Sequence, residues 1–271
     1  MPEMNDAAGK RSMAELTLRI CHLYPELMNI YGDRGNIIAL RKRCEWRGLG
    51  ADVTGLSIHQ EVDPEAYDFY FMGGGQDREQ ILVANDLINV KGDALRVAAA
   101  DGAGFLTICG GYQLFGKYFL TYTGETLPGI EIFDAWTEGA EKRFIGNMVI
   151  EWETAAGGKQ TLVGFENHSG HTYLGHDTKP LGRVLEGFGN NGEDGMEGSR
   201  AGNAIGTYLH GSLLPKNPRL ADEIILAALR RRYGIDALPP LDDALEERAH
   251  EAAVRRTRGS GARRSGRFRK G

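Results

Sequence analysis

One run of residues constrains this chain more than any other: Leu106-Thr107-Ile108-Cys109-Gly110-Gly111-Tyr112-Gln113. A short apolar stretch, Phe105 to Ile108, stops at a cysteine, and two glycines follow at once. This is the pattern of a buried strand that breaks into a tight turn and then a helix. Such a turn pushes its central residue out at the strand end, often with strained backbone angles. Glycine beyond it removes the Cβ atoms that would collide there. Backbone N–H groups of the following helix start would point at the sulfur and stabilise negative charge beside it. An ordinary core cysteine before a βα turn would read the same way, so Cys109 needs company before it means chemistry.

Two further runs supply it. Phe71-Met72-Gly73-Gly74-Gly75-Gln76-Asp77 also follows an apolar stretch and precedes a helical pattern. A triple glycine at a strand's C-terminal end lets bare N–H groups approach a reacting centre, although a flexible loop has the same composition. Ala204-Ile205-Gly206-Thr207-Tyr208-Leu209-His210-Gly211-Ser212 is a third strand-like run ending in a chemically able residue, 101 positions after Cys109. A cysteine nucleophile needs a base, and the fold can bring a distant histidine to it. Three strand ends of this kind belong at the edge of an open α/β sheet where ligands bind.

The 271 residues suffice for one large domain or two small ones, and 41% hydrophobic composition suits a globular enzyme. No stretch approaches the roughly 20 apolar residues of a membrane span. Glycine, 38 of 271 residues, is about twice the usual ~7% and signals many tight turns. Residues 1–10 lack the apolar core of a signal peptide. Three scattered cysteines, Cys21, Cys44 and Cys109, make no disulfide framework, so a reduced, cytoplasmic protein is expected. Charge is unevenly spread. Residues 255–271 hold eight basic residues and no acid, which leaves 24 basic against 37 acidic residues elsewhere, a net of −13. An acidic body with a basic Gly/Ser/Arg tail excludes a nucleic-acid-binding domain and predicts a disordered tail, one that could touch anionic lipid.

Strand character occurs at 16–23, 53–58, 68–72, 105–108, 148–152, 162–165 and 204–209. Helical periodicity covers 37–46, 79–100 with a break near Lys91-Gly92-Asp93, and 220–233, where Leu220, Ile224, Ile225, Ala228 and Leu229 make one apolar stripe. Alternating strand and helix over the first 115 residues predicts an α/β fold, a mostly parallel open sheet flanked by helices. Residues 127–184 read as strand-rich, an antiparallel edge or insertion. The expected organisation is a flexible N-terminus (1–14), one domain (15–235), and a charged helix with a basic tail (236–271). His168-Ser-Gly-His171 invites a metal reading, but Gly170 argues against a shared helical face, so no metal is expected. Tyr31-Gly32-Asp33-Arg34-Gly35-Asn36 is glycine-rich before a helix yet lacks both phosphate-loop spacings. No nucleotide site is visible.

Six motifs stand in order: Tyr31 to Arg41, Gly73-Gly74-Gly75-Gln76-Asp77-Arg78-Glu79-Gln80, the Cys109 run, Gly164-Phe165-Glu166-Asn167-His168, Gly189-Asn190-Asn191 and Gly206-Thr207-Tyr208-Leu209-His210-Gly211. Together they resemble the class I glutamine amidotransferases, in the branch shared with the cobyric acid synthases. The resemblance runs from about residue 16 to 234. It implies hydrolysis of the side-chain amide of L-glutamine, with Cys109 as nucleophile and His210 as its base. Backbone N–H groups of Gly74 and Gly110 would hold the oxyanion. By the same resemblance Arg143, about thirty residues past the nucleophile, would bind the glutamine carboxylate through its guanidinium fork. Gln113, one turn past Cys109, could line the pocket or simply cap the helix.

One position departs from the family. Many members carry a glutamate two residues after the histidine, and Ser212 stands there. The site is then a Cys–His dyad, or another acid serves: Asp33, Asp77, Glu166 or a residue of a partner. The resemblance further implies a two-protein enzyme. Its partner would be a Mur-ligase-like synthetase that binds ATP, leaving no cofactor on this chain. The ammonia would amidate the D-glutamate α-carboxylate of lipid II. A corrinoid acceptor, an idle scaffold and a general thiol hydrolase on the same fold are the alternatives.

Overall fold

The computed structural model describes residues 12–30 and 32–265, without the side chains of Asp77 and of residues 260–265. After a short 3₁₀ turn the strands are β1 (Thr17–Leu23), β2 (Gly50–Leu56), β3 (Phe69–Met72), β4 (Gly104–Ile108), β5 (Tyr118–Leu120), β6 (Thr126–Pro128), β7 (Ala135–Glu153), β8 (Lys159–Leu174), β9 (Gly182–Glu186), β10 (Met196–Glu197), β11 (Ser199–Ala201) and β12 (Ala204–Thr207). The helices are α1 (Arg34–Glu45), α2 (Asp77–Asp86), α3 (Gly92–Ala100), α4 (Gly110–Leu114), α5 (Leu213–Lys216), α6 (Pro218–Tyr233) and α7 (Ala244–Ser265).

The first sheet has the order β11-β12-β4-β3-β1-β2. Its five strands β12, β4, β3, β1 and β2 run parallel, and β11 is an antiparallel edge. Every residue of β3, β4 and β12 is buried, as expected of strands covered on both faces. Tyr70 stacks on Phe105 across this centre with ring centroids 4.7 Å apart. The mostly parallel α/β architecture expected from the sequence is therefore present.

Residues 127–184 go further than an edge or insertion. They supply most of a second sheet, built on a long antiparallel hairpin of β7 and β8. The two short strands expected at 148–152 and 162–165 are the deepest parts of this hairpin. β5 and β9 share the opposite edge of β7 at different heights. The pairing of β7 with β8 shifts register between Gly139 and Phe144, a bulge that contains Arg143.

The helix expected over 79–100 does not break at Gly92. A five-residue π turn, Leu87–Lys91, joins α2 to α3. It tucks Lys91 into the interior, where its Nζ meets Asp86 Oδ2 at 2.5 Å, while Tyr24 donates its hydroxyl to the same oxygen at 2.7 Å. α6 starts with Pro218 at its first turn and stops at Gly234 in the left-handed conformation. α7 extends to Ser265, so part of the basic segment expected to be disordered is helical. The tail from 266 and the N-terminus to residue 11 lie outside the described residues.

α1 is fastened to α6 and to the residues before α7 by one buried guanidinium. Arg43 donates from Nε to Asp222 Oδ1 at 2.6 Å and from Nη1 to Asp243 Oδ1 at 2.8 Å. Removing it would leave Asp243 without this partner and Asp222 with Arg47, whose Nη2 donates to Asp222 Oδ2 at 2.6 Å. Arg43→Ala should therefore lower the unfolding free energy by about 2 to 4 kcal/mol in urea melts, discounted for the partial exposure of both acids.

Candidate active site

Three adjacent parallel strands end side by side. The order β12-β4-β3 places Cys109 in the middle, His210 beyond β12 and Gly73-Gly74-Gly75 beyond β3. The register aligns Met72 with Thr107 and Thr207 with Ile108, so the three exits are nearly level.

Cys109 has φ 50° and ψ −106°, a conformation that costs a residue bearing a Cβ of order 1–3 kcal/mol. Its N–H donates to Thr207 O at 2.9 Å, which ties the bend to β12. The bend fits only because glycine follows. A Cβ at Gly110 would lie 2.2 Å from Gln80 Nε2, and one at Gly111 would lie 2.8 Å from Gly73 O.

His210 is fully buried, and its backbone pairs with Phe165 of β8 in both directions. Its ring sits beside Cys109, whose side chain acts on it electrostatically. Its Nδ1 lies 3.4 Å from Asp33 Oδ1, which leaves Nε2 for the thiol. Burial pushes the imidazole down, but the negative charge of Cys109 and then the Asp33 contact outweigh it and raise the pKa to about 10.

The acids considered for the missing position separate cleanly. Asp33 faces His210 and is fully buried. Glu166 is turned away, accepting the N–H groups of Phe188 at 2.9 Å and Gly189 at 3.1 Å. The Asp77 side chain lies outside the described residues. Residues 32–33 are thus the turn before α1 that presents Asp33. Ser212, at the family's glutamate position, donates its hydroxyl to Gly32 O on that loop.

The oxyanion donors differ from the sequence expectation. Gly74 N–H is committed to Asp33 Oδ2 at 2.8 Å, so it does not face an oxyanion. The nitrogen of the next residue, Gly75, lies 3.1 Å from where a Gly110 Cβ would stand, so the two glycine backbones approach closely there. Sequence shows which residues are glycine, not where each N–H points.

A cleft of about 470 Å³ opens over these residues, lined among others by Gly75, Cys109, Gln113, Arg143, Asn167 and His168. This volume suits a small metabolite. Arg143 reaches it from the β7 bulge, with Nε donating to Asn167 Oδ1 at 2.6 Å. Gln113 lines it too, but its amide is engaged, accepting from Gln80 Nε2 at 3.0 Å and donating to Tyr208 Oη at 3.1 Å. It braces the wall, with one N–H and one acceptor site of its amide left over. His168 stacks on Tyr208 with centroids 3.6 Å apart, whereas His171 stacks on Phe144. The Phe144 ring also meets His168 edge-on with centroids 5.5 Å apart, so it lies against both histidines.

A cysteine held at a strained strand end, a buried imidazole beside it, closely approaching glycine backbone and an arginine at the cleft rim are the parts from which acyl-transfer sites are built. Residues 19–218 match the model of the CobB/CobQ-like glutamine amidotransferase domain. The chain belongs to this family and is a glutamine amidotransferase.

Full-length relatives narrow the comparison. The chain is 42% identical over 245 residues to the lipid II isoglutaminyl synthase (glutamine-hydrolyzing) subunit GatD of Staphylococcus aureus, covering 90% of this chain and 97% of that protein. It is 41% identical to the subunit of the same name from Streptococcus pneumoniae, covering 86% and 89%. A probable cobyric acid synthase of Methanothermobacter thermautotrophicus is 36% identical, but over 50% of this chain and 28% of that protein.

The raised His210 pKa carries a sign. Its stabilising contribution is complete below the unfolded value of about 6.5 and is lost as pH rises through about 10. Because Cys109 is the first cause of the rise, the Cys109→Ala protein should show His210 titrating at least about one pH unit lower in an NMR titration. An unchanged midpoint would mean that the two side chains are not paired.

Proposed function

We propose that this chain is the glutaminase subunit of a two-protein lipid II isoglutaminyl synthase. The observation that carries this reading is the breadth of the match: 42% identity spans 97% of a GatD subunit, while the cobyric acid synthase matches over 28% of its length. Both GatD relatives are named as subunits, which supports a separate synthetase partner. That partner would be Mur-ligase-like and would carry the ATP site. It would use the ammonia to amidate the D-glutamate α-carboxylate of the lipid II stem peptide on the cytoplasmic side.

In the proposed mechanism Arg143 holds the α-carboxylate of L-glutamine and directs its side-chain amide toward Cys109. The Cys109 sulfur attacks the amide carbon, and the N–H groups of Gly75 and Gly110 receive the developing oxyanion. His210 passes the thiol proton to the departing nitrogen, which leaves as ammonia. A γ-glutamyl thioester remains on Cys109. His210 then takes a proton from water, the hydroxide displaces the sulfur, and glutamate is released.

The test is ammonia release from L-glutamine by the full chain, alone and with the synthetase. Cys109→Ala should abolish it. Arg143→Ala should raise KM about 10- to 100-fold, the worth of a charge-assisted pair, with a smaller change in kcat. With synthetase, ATP and lipid II, amidated stem peptide should form in step with ammonia. Glutamine hydrolysis without amidation of lipid II would reassign the acceptor. Undiminished release by Cys109→Ala would remove the glutaminase mechanism itself.

A further inference from the structure

We infer that the second half of α7 and the basic run that continues it form a docking surface for an anionic lipid bilayer, which holds the enzyme beside a lipid-borne acceptor. The inference rests on the lipid II reading above.

α7 is divided by charge. Its first part carries Glu246, Glu247 and Glu251, whereas every charged residue from Arg255 to Lys270 is basic. The first part is fastened to the body. Arg219 Nη2 donates to Glu247 Oε1 at 2.8 Å. His250 joins two elements, with Nδ1 2.8 Å from Lys216 O and Nε2 2.8 Å from Thr161 Oγ1. A neutral imidazole does both, donating to the carbonyl and accepting from the hydroxyl. Val254 then enters a small apolar cluster with Val149 of β7 and Val163 of β8.

The second part turns its charge outward. Thr257 is the last buried residue of the helix among the described side chains, and Arg255, Arg256 and Arg258 around it are exposed. From Thr257 the helix runs on to Ser265, about 12 Å further at ~1.5 Å per residue. Arg255 does meet Glu251 at 3.2 Å, but their side chains are 69% and 64% exposed. Such a pair is worth little in water and leaves the run strongly positive. α7 therefore roots a basic segment in the fold while its arginines face solvent.

Charge complementarity selects the partner. Outside residues 255–271 the chain holds 24 basic against 37 acidic residues, so an anionic surface repels most of the molecule. Approach occurs with the basic run foremost, and the two signs of charge orient the enzyme as well as attract it. Each basic residue close to an anionic bilayer strengthens adsorption by about fivefold. Phe268, between Arg267 and Arg269, adds an aromatic ring of the kind that settles at headgroup level. Single-stranded nucleic acid is also polyanionic, but its binding surfaces stack successive bases on several aromatic rings. Residues 255–271 contain one aromatic residue. A lipid-borne acceptor is confined to the bilayer surface, so an enzyme held there meets it at a raised effective concentration. Free glutamine gains nothing from the same contact.

The test uses the full chain assembled with its synthetase, sedimented with vesicles of phosphatidylcholine alone or of phosphatidylcholine with phosphatidylglycerol. At low salt the complex should partition at least about 100-fold more strongly onto the anionic vesicles. Binding should weaken as salt shortens the screening length from about 10 Å at 0.1 M to about 3 Å at 1 M. The triple variant Arg255→Gln, Arg256→Gln, Arg258→Gln should lose about 100-fold in partition. A second variant, with Arg263, Arg264, Arg267, Arg269 and Lys270 all changed to Gln, should lose at least as much and leaves the described packing of α7 untouched. Both should release ammonia from L-glutamine at the wild-type rate, yet amidate vesicle-embedded lipid II at least about 10-fold more slowly.

Equal partition onto both kinds of vesicle, sedimentation with neither, or wild-type partition by the second variant overturns the inference. Tighter binding to a single-stranded oligonucleotide at equal phosphate concentration and salt also overturns it, and assigns the run to nucleic acid. Unchanged amidation in vesicles by a variant that no longer adsorbs removes the acceptor role. Failure of the lipid II reading looks different: the complex adsorbs to anionic vesicles, hydrolyses glutamine and leaves lipid II unamidated.

Discussion

The level ending of three parallel strands is the constraint on which the rest of the site depends. β12, β4 and β3 are hydrogen-bonded neighbours, and their register sets Thr207, Ile108 and Met72 almost side by side. Whatever leaves those ends must turn within a residue or two, because each strand feeds a loop that shares one edge. Cys109 does so with a positive φ, and the strain is supported by its N–H bond to Thr207 O. The backbone is thereby spent on aiming one sulfur, and the glycines on either side are what let the neighbouring chain come that close.

The second sheet serves this edge from above. β8 passes so near the β12 exit that Phe165 and His210 exchange backbone hydrogen bonds. That contact fixes the height of His210, while the irregular stretch of β7 around Arg143 leans its guanidinium over the cleft. The wall between them is a buried polar chain, from Gln80 through Gln113 to Tyr208 and on to Thr172. The members are hydrogen-bonded in series, so the wall is braced without being apolar, as a site for a polar amino acid requires.

Much of this was legible in residues alone. β3, β4 and β12 could be read because strands buried on both faces are continuous apolar runs, and their chemical ends were marked by glycine. The β7–β8 hairpin was read only in part. Its outer stretch carries Glu138, Glu141, Lys142 and Arg143, whose charges hide the strand period where the register slips. The π turn was invisible because Gly92 signals a break, whereas the ion pair of Lys91 with Asp86 carries the helix through it. Asp33 stood among the candidate acids, but choosing it required the folded position of a loop 177 residues from His210 in sequence. The Gly74 assignment failed for the related reason that hydrogen-bond direction is a property of the folded backbone.

The proposed chemistry is covalent: the strained thiol at the end of β4 carries the glutamyl group. Mixing the full chain with L-glutamine in the presence of its synthetase, quenching in acid within a turnover, and mapping the peptides by mass spectrometry tests it directly. The expected result is a single γ-glutamyl thioester on the peptide containing Cys109, absent from the Cys109→Ala protein. Ammonia released with no adduct on Cys109, or an adduct on Cys21 or Cys44 instead, would contradict it.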